Sequence, residues 1–267
     1  MVGLGDLSGV SDAFDVSADG SVVVGTATSG TGQEATRWTS SEGMVGLGDL
    51  SGGALFAYST AATPDASTIV GIGSSASGTE AFRWTSSGGM VGLGGLPGGI
   101  FFSTGNGVSS DGSIVVGQSF TALGSEAFRW TSADGMVGLG ELPGGGFNSV
   151  AIDVSADGST VVGIGNSSLG DEAFIWTQGD GMQILQDVLE NDYGLDLTGW
   201  LLRQAFSISS DEMVIAGWGD NPNGQREAWV ANLRSDIVVP PVPEPGTLAL
   251  FGIGLAGIAF MRRRRAA

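Results

Sequence analysis

A short phrase, Met-Val-Gly-Leu-Gly, returns along the chain at Met1, Met44, Met90 and Met136, with a divergent copy at Met182. Successive starts lie 43, 46, 46 and 46 residues apart. A chain built this way must fold as a series of like blocks, each burying its apolar face against its neighbours. Other landmarks keep the same step. Asp19, Asp65, Asp111 and Asp157 fall at intervals of 46, as do Gly25, Gly71, Gly117 and Gly163. Glu34, Glu80, Glu126 and Glu172 are each followed four residues later by Trp38, Trp84, Trp130 or Trp176. In the last copy Asp211, Gly217, Glu227 and Trp229 are expected in these places, with the Glu-to-Trp spacing shortened by two.

Each copy reads as four short strands. Asp111-Gly112 supplies the positive φ of a tight turn, and the β-branched run from Ile114 to Val116 suits a buried strand. Glu126 to Thr131 alternates as a half-buried strand does, and Met136 opens the fourth. A longer Gly- and Pro-rich link (141–147) then crosses to the next unit. A four-stranded meander of about 40–50 residues is the blade of a β-propeller. The predicted fold is therefore all-β, a β-propeller-like array of five four-stranded repeats over residues 1–233. Residues 1–5 would pair with 227–233 and close a five-bladed ring, the competing arrangement being an open stack or part of a larger propeller. Ile184, Leu185, Val188 and Leu189 are spaced as a helix, expected over 183–193 as a cap on the end of the array.

The chemistry open to such a chain is narrow. It has no His, Cys or Lys, which removes the commonest general base, thiol and amine nucleophiles, and the ligands that zinc and copper favour. No catalytic residue, cofactor site or metal site is assigned. Ahead of the terminal Arg run stand 28 acidic residues and six Arg, a net of −22 that repels phosphate and argues against a nucleic-acid partner. The periodic Trp residues are read as packing between blades rather than as sugar platforms. Arg37, Arg83 and Arg129 are read as structural, paired with the periodic Glu residues, and Ile175 and Ala228 are expected in their place in the last two copies. The Asp turns are read as turn chemistry rather than calcium loops. An enzyme would have to work with paired carboxylates, as glycosidases do, and Asp171, Asp192 and Asp196 are the acids outside the repeat phase.

The C-terminal end differs in kind. A Pro- and Val-rich linker (234–242) leads to Pro243-Glu244-Pro245, an apolar run over 246–261 and Arg262-Arg263-Arg264-Arg265. Sixteen helical residues reach about 24 Å against a bilayer core of about 30 Å, so a transmembrane helix there is short. The basic cluster would stay on the cytoplasmic side and leave the body outside.

The order Pro-Glu-Pro, apolar run, Arg cluster over 243–265 resembles a PEP-CTERM sorting signal. That resemblance implies a Gram-negative bacterium, an inner-membrane intermediate, recognition by an exosortase, cleavage near Pro243, Glu244 and Pro245, and release to the cell surface or matrix. The Glu-Ala-Phe-Arg-Trp-Thr segments at Glu80 and Glu126 and the Ser-Ala-Asp-Gly turns at Ser17 and Ser155 resemble the HAF family of extracellular repeats. No secretory leader precedes the first copy, so the start is expected to be misassigned or the chain a fragment. The function expected is a non-enzymatic scaffold or binding module of the surface or exopolysaccharide matrix. Exopolysaccharide or other surface proteins are its candidate ligands, and a propeller-type carbohydrate-active enzyme is the alternative.

Overall fold

The computed structural model describes residues 3–233, and these form an all-β body with about 58% strand and one short helix. The first sheet is a meander of β1 (Ser11–Val16), β2 (Val22–Thr28), β3 (Gln33–Thr39) and β4 (Gly43–Gly46). The second repeats it with β5 (Gly52–Ala62), β6 (Thr68–Ser75), β7 (Gly78–Thr85) and β8 (Gly89–Gly92). The third has β9 (Gly98–Val108), β10 (Ile114–Thr121), β11 (Ser125–Thr131) and β12 (Gly135–Gly138). The fourth has β13 (Ser149–Val154), β14 (Thr160–Ser167), β15 (Gly170–Thr177) and β16 (Gly181–Ile184). The helix α1 (Leu185–Asn191) follows, and then β17 (Leu201–Ile208), β18 (Val214–Asp220) and β19 (Arg226–Asn232) make a fifth sheet.

Every pairing inside a sheet is antiparallel, and the sheets touch through one parallel residue pair at each early junction. These pairs are Gln33 with Phe56, Thr79 with Phe102 and Ser125 with Asn148. At the last junction a side chain takes over, as Arg203 Nη1 donates to the carbonyls of Leu169 and Asp171 at 3.2 and 3.1 Å. Pleating puts alternate residues on opposite faces, and one face of each sheet packs on the far face of the sheet before it. Val24 and Ala35 of the first sheet thus meet Ala57, Ile69 and Phe82 of the second in one buried cluster. Val70 and Ala81 meet Val115 and Phe128 in the next, and Val162 and Ala173 meet Ile215 and Trp229 in the last.

The recurrent Met-Val-Gly-Leu-Gly-x-Leu phrase explains these junctions. Its Met and Val extend the sheet as the fourth strand, and its two leucines enter the seam with the next sheet. Leu47 and Leu50 fill the first seam, Leu93 and Leu96 the second, and Leu139 and Leu142 the third. At the fourth seam α1 supplies Leu185 and Leu189, both buried. The helix therefore stands between the fourth and fifth sheets and does not cap the end of the array. Each buried leucine adds about 1.5–3 kcal/mol of apolar burial.

Three further expectations need correction. The fifth sheet has three strands among the described residues, where four were expected. β19 pairs with β18 alone there, while Leu4 lines a hollow of the first sheet with Val23 and Trp38, and the Gly5 carbonyl accepts the Ser11 hydroxyl. Hence no closed ring is present among the described residues. Trp229 stands opposite Gly217, just as Phe82, Phe128 and Phe174 stand opposite Gly71, Gly117 and Gly163. No spacing is shortened: Trp229 replaces the Phe of the second, third and fourth sheets, and Val230, not Ala228, takes the Arg position. The transmembrane helix expected over 246–261 lies outside the described residues, and among those described no helix is long and apolar enough to cross a membrane.

Candidate functional site

The periodic Asp residues act locally. In each of the first four turns Asp accepts from a hydroxyl two residues before it and from a backbone N–H two residues after it. Asp111 Oδ1 takes the Ser109 hydroxyl at 2.7 Å and the Ser113 N–H at 2.9 Å, and Ser109 in turn accepts the Ile114 N–H at 3.0 Å. Asp19, Asp65 and Asp157 repeat the arrangement through Ser17, Thr63 and Ser155. Donors aimed at a carboxylate favour its charged form. The backbone N–H groups of Ser21, Ser67 and Ser159, first among such donors, hold Asp19, Asp65 and Asp157 at about 2, below the usual 3.8. For Asp111 the Ser109 hydroxyl leads, to the same value. These carboxylates are spent on turns, and no group of three or more Asp or Glu able to hold a metal ion stands among the described residues.

The expected Arg–Glu pairs do not form. Glu80 and Arg83 are three residues apart on one strand, so they project from opposite faces. Glu80 accepts the Gly94 N–H at 2.8 Å and Glu126 the Gly140 N–H at 3.1 Å, each bracing the link that leaves its own sheet. Arg83 instead bridges two sheets: Nε donates to the Gly112 carbonyl of the third at 2.8 Å, and Nη2 to the Thr68 hydroxyl of its own sheet at 3.2 Å. Arg37 pairs with Glu42 in its own hairpin. Trp38, Trp84, Trp130 and Trp176 hold equivalent places and are half-buried. The last three pack against the seam clusters, in company with Met90, Met136 and Met182.

Two further acids carry roles that the repeat phase hides. A bulge in the first strand of the first and fourth sheets turns Asp15 and Asp153 toward the neighbouring sheet. Asp15 Oδ2 accepts the Ala62 N–H at 2.9 Å, and Asp153 Oδ2 accepts the Ile208 N–H and the Ser207 hydroxyl, both at 2.9 Å. The acids outside the phase are not gathered. Asp192 lines a hollow with Asp187 and Gln183 beside α1. Asp171 lies on β15 within 3.3 Å of Asn166, and Asp196 accepts the Thr198 N–H at 3.1 Å; the Thr198 hydroxyl, with that N–H, lowers its pKa.

One hollow lies on the open face of the first sheet. It measures about 200 Å³ and is lined by Ser11, Val23, Gly25, Thr36, Trp38 and Met44 among others. Thr36 stands opposite Gly25, in the place that an aromatic side chain fills in the other four sheets. That substitution is legible in the sequence, although the pairing is needed to see what it leaves open.

The seven residues expected to form the sorting site, Pro243, Glu244, Pro245, Arg262, Arg263, Arg264 and Arg265, lie outside the described residues. Comparison with known proteins addresses body and tail separately. No curated protein matches the chain. Among solved structures it is similar to TolB from Acinetobacter baumannii, at 14% identity and a TM-score of 0.52 over 87% of this chain, and spans about half (52%) of that protein. It is also similar to the putative TolB from Agrobacterium tumefaciens, at 12% identity and a TM-score of 0.54, covering 86% of this chain and 79% of that one. At such identities the likeness is one of fold, to β-propeller-like neighbours. The tail gives the sharper result. Residues 241–265 match the PEP-CTERM protein-sorting motif, two residues earlier at the start than the sequence reading placed it, and the motif implies exosortase processing and export through the membrane to the cell surface.

Proposed function

We propose that this chain is a non-enzymatic surface protein of a Gram-negative bacterium, a β-propeller-like scaffold of HAF-type repeats delivered by a C-terminal signal that an exosortase removes. The observation that carries the proposal is the match of residues 241–265 to the sorting motif. In this reading Pro243 and Pro245, with fixed φ, keep the Pro-Glu-Pro element out of the helix that follows. The apolar run over 246–261 crosses the inner membrane only transiently, and Arg262 to Arg265 hold its cytoplasmic end. The body then acts as a rigid support whose loops meet exopolysaccharide or other surface proteins. Its non-enzymatic character is supported by the dispersal of Asp171, Asp192 and Asp196 and by carboxylates committed to turns and seams. The test is to replace Pro243, Glu244 and Pro245 with Ala in an exosortase-bearing host. The wild-type chain should reach the surface fraction while the variant stays full-length in the inner membrane. Equal delivery of the two would overturn the proposal.

A further inference from the structure

The five sheets serve as controls for one another at one position. In the second, third and fourth sheets a ring atom of Phe82, Phe128 or Phe174 stands 2.9, 3.0 or 2.8 Å from where a Cβ on the facing glycine would be. The Trp229 ring covers Gly217 in the same way. All three Phe side chains are fully buried. In the first sheet Thr36 takes the place, and the atoms nearest the corresponding point on Gly25 are backbone atoms of Asp12 and Ala13. The hollow of about 200 Å³ lies there, open to solvent, with Val23, Trp38 and Met44 as apolar wall.

We propose that this hollow is a binding site for a single planar aromatic ring carried by a small ligand. The fold already accepts a ring at this place four times, with a glycine beneath it and a Trp or Met alongside in the middle sheets, so no rearrangement is required. Its size fits as well, since an apolar cavity of about 150 Å³ takes up benzene. Ser11, Asp12 and Thr36 also line it, which favours a ring bearing a hydroxyl over a bare hydrocarbon. The acidic body selects a neutral phenol over an aromatic carboxylate. The inference is independent of the sorting signal and goes beyond the scaffold reading.

The probe is phenol, titrated into the isotope-labelled full chain held in lipid nanodiscs, with benzoate and methyl glucoside as parallel arms. Saturable NMR shifts are expected at the Gly25 and Thr36 amides and the Trp38 indole with phenol, weaker ones with benzoate and none with the glucoside. Thr36→Phe should lower phenol binding at least about tenfold by filling the hollow with the chain's own ring, and should raise the unfolding midpoint. Thr36→Val, which leaves the hollow open, should retain binding. The wild-type map and the Val variant decide the matter even if the Phe variant fails to fold. Absence of saturable shifts at these three residues, shifts of equal size with the glucoside, or undiminished binding to a folded Thr36→Phe chain would overturn the proposal.

Discussion

The glycines at 71, 117, 163 and 217 have little freedom to change. Each faces an aromatic ring, and in each case a carbonyl of the bulged first strand stands where a Cβ would be. Gly117→Ala should therefore cost about 1–3 kcal/mol through overpacking, read as a lower denaturant midpoint. Phe128→Ala should cost more, about 3–5 kcal/mol, because the ring is fully buried; Trp130→Ala should cost less because its ring is only half-buried. If the Trp variant proved the worse of the two, the assignment of seam-filling rings would be wrong. The Asp turns make a second prediction. Their pKa values are depressed to about 2, so the stability they contribute is present above 3.8 and lost as pH falls from there toward 2. Thermal unfolding should show a falling midpoint in that window, with a shallower fall for Asp111→Asn. The glycine and Asp periods were plain in the sequence. The Arg–Glu pairing expected from the sequence does not form because a three-residue spacing puts the two on opposite faces, as it does for Glu80 and Arg83. The sequence alone does not place Trp229, because two aromatic types share one role and only its pairing with Gly217 tells them apart.

At the scale of elements, the leucines of the repeat phrase explain why the units stack in order. Strands of four residues such as β4, β8 and β12 contribute few hydrogen bonds, yet each delivers two leucines to the next seam. The helix α1 does this work for the last seam, where the phrase has diverged to Met-Gln-Ile-Leu-Gln. Its helical spacing was readable in advance; its place was not, because the sequence does not say whether a divergent copy lies at an end or between two sheets. Leu185→Ala should cost about 2–5 kcal/mol, concentrated on the fifth sheet. Native-state hydrogen exchange should show β17, β18 and β19 exposed first in that variant while β9 to β12 keep their protection. Loss of protection spread evenly over all five sheets would mean that stability is not divided by seams.

At the scale of the molecule, each sheet packs on the next through like contacts, so stability accrues seam by seam as in other repeat proteins. Ring closure was not legible, because the repeat pattern is the same for a closed ring and an open series. Among the described residues Val10, Phe14 and Val16 of the first sheet are exposed, as is Val230 of the last, and no pairing joins those two sheets. The sorting motif was legible, since three elements in fixed order are a feature of sequence rather than of packing, and the family match spans 241–265; the helix expected within it lies outside the described residues. In the proposed function this tail is a signal and not a lasting anchor. Intact-mass measurement of the protein recovered from the surface of an exosortase-bearing host tests it directly. The predicted result is a chain that ends near Pro243 to Pro245 and lacks Arg262 to Arg265. Surface protein of full-length mass, with all four arginines retained, would contradict it.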